Sequence, residues 1–208
     1  MLDVNTLRIA MQEIANTMAA NRQYLIELDQ RNGDGDLGIS MSEGFAAASA
    51  FVNESSETDL GKIIVGASKV FNEAAPSSLG TIMSLFMMGM ARVLKSHQNA
   101  DAALLGEACV AGVAKIMERA NSKPGEKTVL DALDPAARAL CENDSKGMVS
   151  ALEAAAKAAK EGSESTASMK AVHGRAAYYG DKTIGLIDGG SVAGMLVFEA
   201  LYKAAQRM

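Results

Sequence analysis

The sequence LGKIIVGASKVFNEAAPSSLGTIMSLFMMGMARVL, residues 60–94, predicts two helices joined by a sharp turn. Apolar residues recur at i, i+3, i+4 and i+7 on both sides of the turn, which is the period of an α-helix with one buried face. Pro76 should end the first helix, because the residue before a proline avoids the α region. Ser77 or Ser78 can then cap the second helix. So short a connection makes the two helices antiparallel neighbours.

The rest of the chain has a similar helical pattern and no segment that alternates like a strand. Segment 101–120 is apolar nearly all round and should be well buried. A break is expected at Gly162-Ser163, then a short helix at 165–173 and a loop at 174–190. Other helices are expected at about 5–21, 40–52, 129–141, 147–160 and from 191 to the end. We therefore expect an all-α fold, an up-and-down barrel or bundle of about eight antiparallel helices in a single domain, residues 1–208.

Composition narrows the function classes. Hydrophobic residues make up 49% of the 208 residues and aromatic residues only 4%, which favours helices over sheet. The net charge of -5 and the lack of a basic patch argue against nucleic acid or an anionic membrane as a partner. No signal peptide or long apolar span is visible, so a cytoplasmic protein is expected. Cys109 and Cys141 are expected to be free thiols.

A second stretch, LDQRNGDGDLGISM at 28–41, gathers three aspartates among glycines. In an extended chain, side chains two residues apart point the same way, so Asp34 and Asp36 can aim at one point with Cα atoms roughly 6 to 7 Å apart. Asp29 can reach that point if the loop folds back, and Gly33, Gly35 and Gly38 should let it turn. Three carboxylates without histidine or thiol form a hard-oxygen site that suits Mg²⁺ or Ca²⁺ rather than Zn²⁺.

Three interpretations of this loop compete. It can be a solvated turn, since Asp and Gly are ordinary turn residues. It can be a calcium loop of the EF-hand type, from Asn32 to Glu43, although Leu37 stands where that loop requires glycine. It can also be a magnesium site that holds nucleotide phosphates, because Mg²⁺ typically uses few carboxylates and completes its shell with water and phosphate oxygens.

Other motifs are less informative on their own. Gly125-Glu126-Lys127-Thr128 lacks the glycine that precedes lysine in a phosphate-binding Walker A loop, and is typical of a turn between helices. No Ser-His-Asp order is present. His173 precedes Gly174-Arg175 and is either structural or close to the site.

Four stretches together resemble the L subunit, the nucleotide-binding subunit, of dihydroxyacetone kinases. They are LDQRNGDGDLGISM at 28–41, APSSLGT at 75–81, PGEKTVLDAL at 124–133 and GRAAYYGDKTIGLIDGGS at 174–191. They occur in the family's order with similar separations, and the resemblance covers essentially the whole chain. It implies a barrel of eight antiparallel helices with ADP or ATP at one end.

The resemblance also implies roles for individual residues. Asp29, Asp34 and Asp36 would hold two Mg²⁺ ions. Arg175 would contact the nucleotide and serve as the catalytic residue, since an arginine near the transferred group offsets charge as the phosphoryl group moves. The other implied contacts are Leu37, Gly38 and Ser40 at the phosphates, Ser77, Ser78, Gly80 and Thr81 at the phosphate-side helix start, Ala120 and Val129 at the base, and Asp188, Gly189 and Gly190 in the closing loop.

The chain departs from the family pattern at several positions. Leu37 replaces the usual histidine, Pro76 and Ser78 alter the stretch before Leu79, and Gly189 replaces proline. Because the three aspartates are intact, nucleotide binding is expected, while the substrate and the phosphoryl donor stay open.

We therefore expect a kinase subunit that transfers a phosphoryl group to a short ketose or related polyol held on a separate K subunit. Alone, the chain should bind Mg²⁺-nucleotide and have little or no kinase activity. The donor can be exchanging ATP, or a phosphotransferase-system phosphocarrier protein that rephosphorylates bound ADP. The alternative is a non-catalytic nucleotide- or metal-binding regulator on the same fold.

Overall fold

The computed structural model describes residues 1–207, which form nine α-helices. In chain order they are α1 (Val4–Ala20), α2 (Arg22–Asp29), α3 (Leu37–Glu54), α4 (Leu60–Ala74), α5 (Ser78–Leu94), α6 (Ala102–Ala120), α7 (Leu130–Glu142), α8 (Met148–Ser165) and α9 (Gly189–Ala205). Short 3₁₀ segments lie at Asp144–Lys146, Thr166–Ser168 and Arg175–Thr183. Over this range the only extended pairing is an isolated antiparallel bridge between Leu2 and Ala100.

Eight of the nine helices close into a ring. From α3 onward each helix packs against the next one in the chain, and α1 packs against both α3 and α9. The short helix α2 stands apart from this ring and packs mainly on α3. One contiguous apolar core fills the ring. The predicted all-α up-and-down barrel is confirmed; α2 was not predicted, because only Leu25 and Leu28 of its eight residues are buried and its apolar signal is weak.

Helices α4 and α5 confirm the pattern of residues 60–94. Ser77, rather than Ser78, caps α5, because its hydroxyl oxygen accepts a hydrogen bond from the Gly80 N–H at 3.0 Å. Phe71 is fully buried on α4 and meets the ring of Phe45 edge-on, with centroids 4.8 Å apart. The other buried residues on the two predicted stripes include Leu60, Ile63, Ile64, Ala67, Met83, Phe86 and Leu94.

Alternating helix directions bring four helix N-termini to one end of the ring. The first residues or N-caps of α3, α5, α7 and α9 border a common cavity: Leu37, Ser78, Val129 and Gly189. The unpaired N–H groups of these first turns give that end a positive partial charge. This end of the barrel therefore favours the binding of an anion.

Two local predictions in the second half of the chain were wrong. Helix α8 continues through Gly162 and Ser163 to Ser165. A Cβ at Gly162 would collide with the carbonyl oxygen of Asp131 on α7, and the Ser163 hydroxyl lies 2.9 Å from that of Ser191 on α9. These two residues therefore allow close helix packing instead of forming a turn. The helix expected at 165–173 is only the 3₁₀ turn Thr166–Ser168.

The exposed face of α6 and the end of α9 differ from the sequence-based expectation. Segment 101–120 was expected to be well buried, and this was wrong for one face of α6, where Val110 and Met117 are exposed. Helix α9 ends at Ala205, and Met208, to which the last helix was expected to run, lies outside the described residues. Within residues 1–207 no helix has the length and apolar character needed to cross a membrane.

Candidate functional site

A cavity of about 450 Å³ opens where the four helix N-termini meet. Its wall is formed by the acidic loop after α2, the starts of α3, α5, α7 and α9, the end of α6, and the segment around residue 175. Most of the residues predicted for the site lie in this wall: Asp29, Asp34, Asp36, Leu37, Ser78, Ala120, Val129, Arg175, Asp188, Gly189 and Gly190.

The acidic loop folds back and brings its three aspartates together. Asp29 is the last residue of α2, and its Oδ2 accepts a hydrogen bond from the Gly35 N–H at 2.7 Å. Gly35 has a φ of 78°, a backbone conformation that favours glycine. One carboxylate oxygen each from Asp29, Asp34 and Asp36 lies within 4.8 Å of the others. The expected meeting point of the three side chains is therefore present.

Gly38 has a different role from the one expected. It lies in the first turn of α3, where a Cβ would collide with the backbone carbonyl oxygen of Arg22. Its missing side chain lets α2 pack closely on α3. This contact places Asp29 at the end of α2 beside Asp36 at the start of α3.

The charges in the loop repel one another. Burial raises the pKa of Asp36, the neighbouring Asp34 and Asp29 raise it further, and Arg175 partly opposes these effects. Asp34 is exposed, whereas Asp29 and Asp36 are half-buried. Two half-buried carboxylates are unusual for a plain solvated turn, because a cation or a hydrogen-bond donor is needed to offset their lost hydration.

The calcium-loop interpretation is wrong. Helix α3 begins at Leu37, so Ile39 and Glu43 lie inside a helix instead of around a metal. The Glu43 side chain is directed toward Arg22, with 3.5 Å between Oε1 and Nη2. The loop that remains contains only the three aspartates as charged oxygen donors.

Arg175 connects another part of the chain to the acidic loop. Its Nη2 lies 2.8 Å from Asp34 Oδ2, and its side chain is largely exposed. It opens the 3₁₀ segment Arg175–Thr183 directly after Gly174, whose φ is 63°. The preceding His173 lies with Nε2 2.6 Å from Glu126 Oε2, and this hydrogen bond lowers the pKa of Glu126. The Arg175–Asp34 ion pair and the His173–Glu126 hydrogen bond thus attach this part of the chain to the acidic loop and to the turn before α7.

The closing loop before α9 is held by a polar network. Asp188 is the N-cap of α9, and its Oδ2 accepts a hydrogen bond from the Ser191 N–H at 2.6 Å. Its own N–H donates to Thr166 Oγ1 at 3.0 Å. Burial raises the pKa of Asp188 to about 6, and the Lys127 ammonium partly opposes the shift. The loop therefore has a fixed backbone position relative to α8.

Five of the residues predicted for the nucleotide do not line the cavity. Ser40 is buried in α3, and Ser77 is occupied as the α5 cap. A Cβ at Gly80 would collide with the carbonyl oxygen of Ala75, and the Thr81 hydroxyl donates to the Ser77 carbonyl oxygen at 3.2 Å. Together with Gly38, these residues shape the two helix starts that face the cavity, and their contact with a ligand stays a prediction.

Several lining residues were missed by the sequence reasoning. Lys127 and Thr128 belong to the GEKT stretch that was interpreted as a turn, and Ser122 belongs to the same connection. His173 also lines the cavity, which places it near the site, one of the two positions left open for it. The remaining additions are Asn32, Gly33, Leu79, Ile82, Ile116, Gly174 and Ala176. The sequence signal for Lys127 was its position in PGEKTVLDAL, residues 124–133, one of the four stretches that resemble the kinase family.

The donor set fits a divalent cation of the Mg²⁺ type. Three carboxylates supply hard oxygen ligands with negative charge, and their open side faces the cavity. The neighbouring helix N-termini offer N–H groups to phosphate oxygens. A cation and an anion can therefore be held side by side, as in a metal-bound phosphate ester.

These features define a class of protein, a closed ring of helices with a candidate cation site beside four helix N-termini at one end. The chain belongs to the DAK2 domain family, whose model matches residues 32–203.

Curated relatives cover the chain almost end to end. The ADP-binding subunit DhaL of PEP-dependent dihydroxyacetone kinase 1 from Listeria innocua is 30% identical over 193 residues, 93% of this chain and 92% of that protein. The corresponding DhaL subunit from Escherichia coli is 27% identical and covers 88% of this chain and 89% of that protein. The rat triokinase/FMN cyclase is 28% identical over 96% of this chain but only 35% of that protein.

Solved structures share the fold. The dihydroxyacetone kinase of C. freundii in its native form matches 98% of this chain with a TM-score of 0.76 at 22% identity. The same kinase in complex with AMP-PNP and Mg²⁺ matches 93% with a TM-score of 0.75 at 24% identity. This chain spans about a third of the length of those kinases, 35% and 33% respectively.

Proposed function

We propose that this chain is the Mg²⁺-nucleotide-binding subunit of a dihydroxyacetone-kinase-like kinase, and that residues 1–208 form one domain with that task. It binds ADP or ATP, and the phosphoryl group passes to a short ketose or related polyol held on a separate K subunit. Family membership and the two near full-length DhaL relatives support this function. Relatives described as triokinase and L-erythrulose kinase keep the substrate class broader than dihydroxyacetone.

Three converging carboxylates beside four helix N-termini support the proposal most directly. Carboxylates alone would repel a phosphate, and helix N-termini alone would not hold Mg²⁺. Their juxtaposition suits a ligand that carries both charges, which is a metal-bound di- or triphosphate. A cavity of about 450 Å³ is within the range for a small-molecule site.

The individual roles follow from position in the wall. Asp29, Asp34 and Asp36 would hold two Mg²⁺ ions, which neutralise phosphate charge when bound. Leu37 and Ser78 lie at helix starts, where backbone N–H groups can donate to phosphate oxygens. Gly38, Ser40, Ser77, Gly80 and Thr81 would act through the shape of those two helix starts. Ala120 and Val129 would lie against the base, and Asp188, Gly189 and Gly190 would cover the phosphates.

Arg175 is the proposed catalytic residue. Its guanidinium lies at the metal ligand Asp34, which is close to where a terminal phosphate would lie. A planar guanidinium can engage two phosphate oxygens at once and offset their charge during transfer. Its exposure allows it to leave Asp34 and contact the phosphoryl group instead.

A separate subunit is expected to supply the acceptor. The 3₁₀ segment that carries Arg175 exposes Tyr178, which is 91% accessible, and the residue that follows the segment, Ile184, is 51% accessible. A docked K subunit would cover this segment and bring its substrate to the cavity mouth. A phosphocarrier protein is the proposed source of phosphate if ADP does not exchange, and a cytoplasmic location is proposed for the assembly.

Titration calorimetry with Mg²⁺-ADP tests the binding function. We expect saturable binding at one site that disappears when EDTA replaces Mg²⁺. Phosphoryl transfer is then measured with a K subunit of the dihydroxyacetone kinase family added, with ATP or a phosphocarrier as donor. Binding without transfer under both donors would favour the non-catalytic regulator, for which the replacement of the usual histidine by Leu37 is the supporting observation.

A further inference from the structure

Lys127 is a buried lysine on the turn between α6 and α7, with 4% of its surface exposed. Its Nζ donates to the carbonyl oxygen of Thr166 at 2.5 Å and to the carbonyl oxygen of Leu186. These acceptors lie at the end of α8 and in the closing loop before α9. One ammonium group therefore joins three segments that are far apart in the sequence.

The backbone of Lys127 is also unusual. Its φ is 59°, in the left-handed region that a residue with a side chain rarely adopts. Such conformations persist where the surrounding structure requires them, and they cluster at functional sites. Two hydrogen bonds stabilise this turn conformation. The Asp131 carboxylate accepts them from the N–H groups of Gly125 and Thr128 at 2.5 and 2.7 Å.

A neutral residue would avoid the cost of burying this charge. Burial lowers the pKa of Lys127, and the carboxylates of Asp188 and Asp131 oppose that shift. The two carbonyls occupy two of the three N–H bonds of the ammonium, and Lys127 lines the cavity itself. The charge therefore lies beneath the closing loop, next to the Asp188 cap of α9.

We propose that Lys127 is a positioning residue for the nucleotide cavity. It sets the distance between the turn next to Val129, on the base side, and the start of α9 at Asp188, Gly189 and Gly190, on the phosphate side. This inference rests on the proposed nucleotide binding, and it goes further because it gives a role in affinity to a residue far from the three aspartates in the sequence.

The test uses two variants of the full chain and a matched control. Lys127→Met keeps the length of the side chain but removes its donors. Lys127→Gly also removes the donors, but glycine adopts the left-handed backbone conformation without strain. If Lys127 served only the local turn, this variant would therefore lose no Mg²⁺-ADP affinity. Lys123→Met removes an exposed lysine from the same turn.

Three quantities are measured at 10 °C: affinity for Mg²⁺-ADP, affinity for Mn²⁺ alone, and amide exchange of residues 184–190. We expect both Lys127 variants to lose at least tenfold in Mg²⁺-ADP affinity and to exchange faster at 184–190. Mn²⁺ affinity, which depends on the acidic loop, should change less than threefold, and Lys123→Met should match the wild type throughout.

Wild-type Mg²⁺-ADP affinity in either folded Lys127 variant would overturn the positioning role and leave a structural one. Loss of helical circular dichroism in both variants would also overturn it, since the residue would then serve the whole fold. Failure of the unsubstituted chain to bind Mg²⁺-ADP is a separate result, which would overturn the proposed function and this role with it.

Discussion

Two cavities of the molecule differ in what surrounds them. The cavity at the helix N-termini, about 450 Å³, has four aspartates, an arginine and a lysine in its wall. A second cavity, about 250 Å³, lies inside the helical ring and is lined mainly by methionine, leucine, phenylalanine and other apolar side chains such as Met11, Phe45 and Met83. The first concentrates charge that needs a ligand, whereas the second belongs to the core that holds the ring together. Stability and ligand binding should therefore respond to different substitutions.

The largest expected effect is on stability, from the helical core. Phe71→Ala removes a fully buried ring that packs on Phe45, and should lower the free energy of unfolding by about 3–5 kcal/mol. Mg²⁺-ADP affinity, measured well below the melting temperature, should stay within about threefold of the wild type because the acidic loop is untouched. Urea unfolding and calorimetry check both parts, and Ile9→Ala at an exposed position is the control. A large loss of Mg²⁺-ADP affinity in the folded variant would show that core packing and ligand binding are not independent.

The next effect is on binding, at the acidic loop. Asp34→Ala with Asp36→Ala removes two of the proposed metal ligands, and Mg²⁺-ADP affinity should fall at least tenfold, about 1.4 kcal/mol or more. The unfolding midpoint of the metal-free protein should stay the same or rise, because the substitutions remove repulsion between neighbouring carboxylates. The double substitution of the exposed Glu54 and Glu107 by Ala removes the same charge elsewhere and should leave affinity unchanged. Unchanged Mg²⁺-ADP binding by the aspartate variant would favour the solvated turn.

Arg175→Lys separates binding from transfer. Lysine keeps the charge but loses the planar pair of N–H groups, so nucleotide affinity should stay within about threefold while the transfer rate falls about tenfold. Single-turnover transfer with the K subunit present is compared with calorimetry on the same variant. Arg138→Lys, at an exposed ion pair on α7, is the control. Equal losses in affinity and rate would show that Arg175 only ties its segment to Asp34.

The smallest expected effect is a pH dependence at the closing loop. Since the pKa of Asp188 is raised to about 6, the folded protein holds a proton between about pH 4 and 6 that the unfolded chain has lost. The contribution of this group to stability is therefore greatest at low pH and falls by about 1 kcal/mol from pH 5 to pH 7. Asp188→Asn can still cap α9 and should flatten this slope in urea unfolding of the metal-free protein. The exposed N-cap variant Asp101→Asn is the control, and equal slopes for Asp188→Asn and wild type would contradict the prediction.

The fold was largely accessible from the sequence because its signals are local. The apolar stripes of α4 and α5 and the turn at Pro76-Ser77 were predicted from neighbouring residues and confirmed. The errors occurred where a residue's role depends on a distant segment. Gly162 and Ser163 have the composition of a break, yet they lie in α8 because α7 and α9 pack against them.

The same division holds for the candidate site. By itself the sequence determined that Asp29, Asp34 and Asp36 could converge on a hard cation, because their spacing within one loop fixes which side chains can meet. Only the tertiary structure decided that four helix N-termini face those aspartates, that Arg175 reaches Asp34, and that Lys127 joins Thr166 to Leu186. The two Lys127 contacts join residues 39 and 59 positions apart in the sequence. No local periodicity specifies contacts over such separations. Ring closure specifies them instead, since it brings the ends of alternate helices to one place.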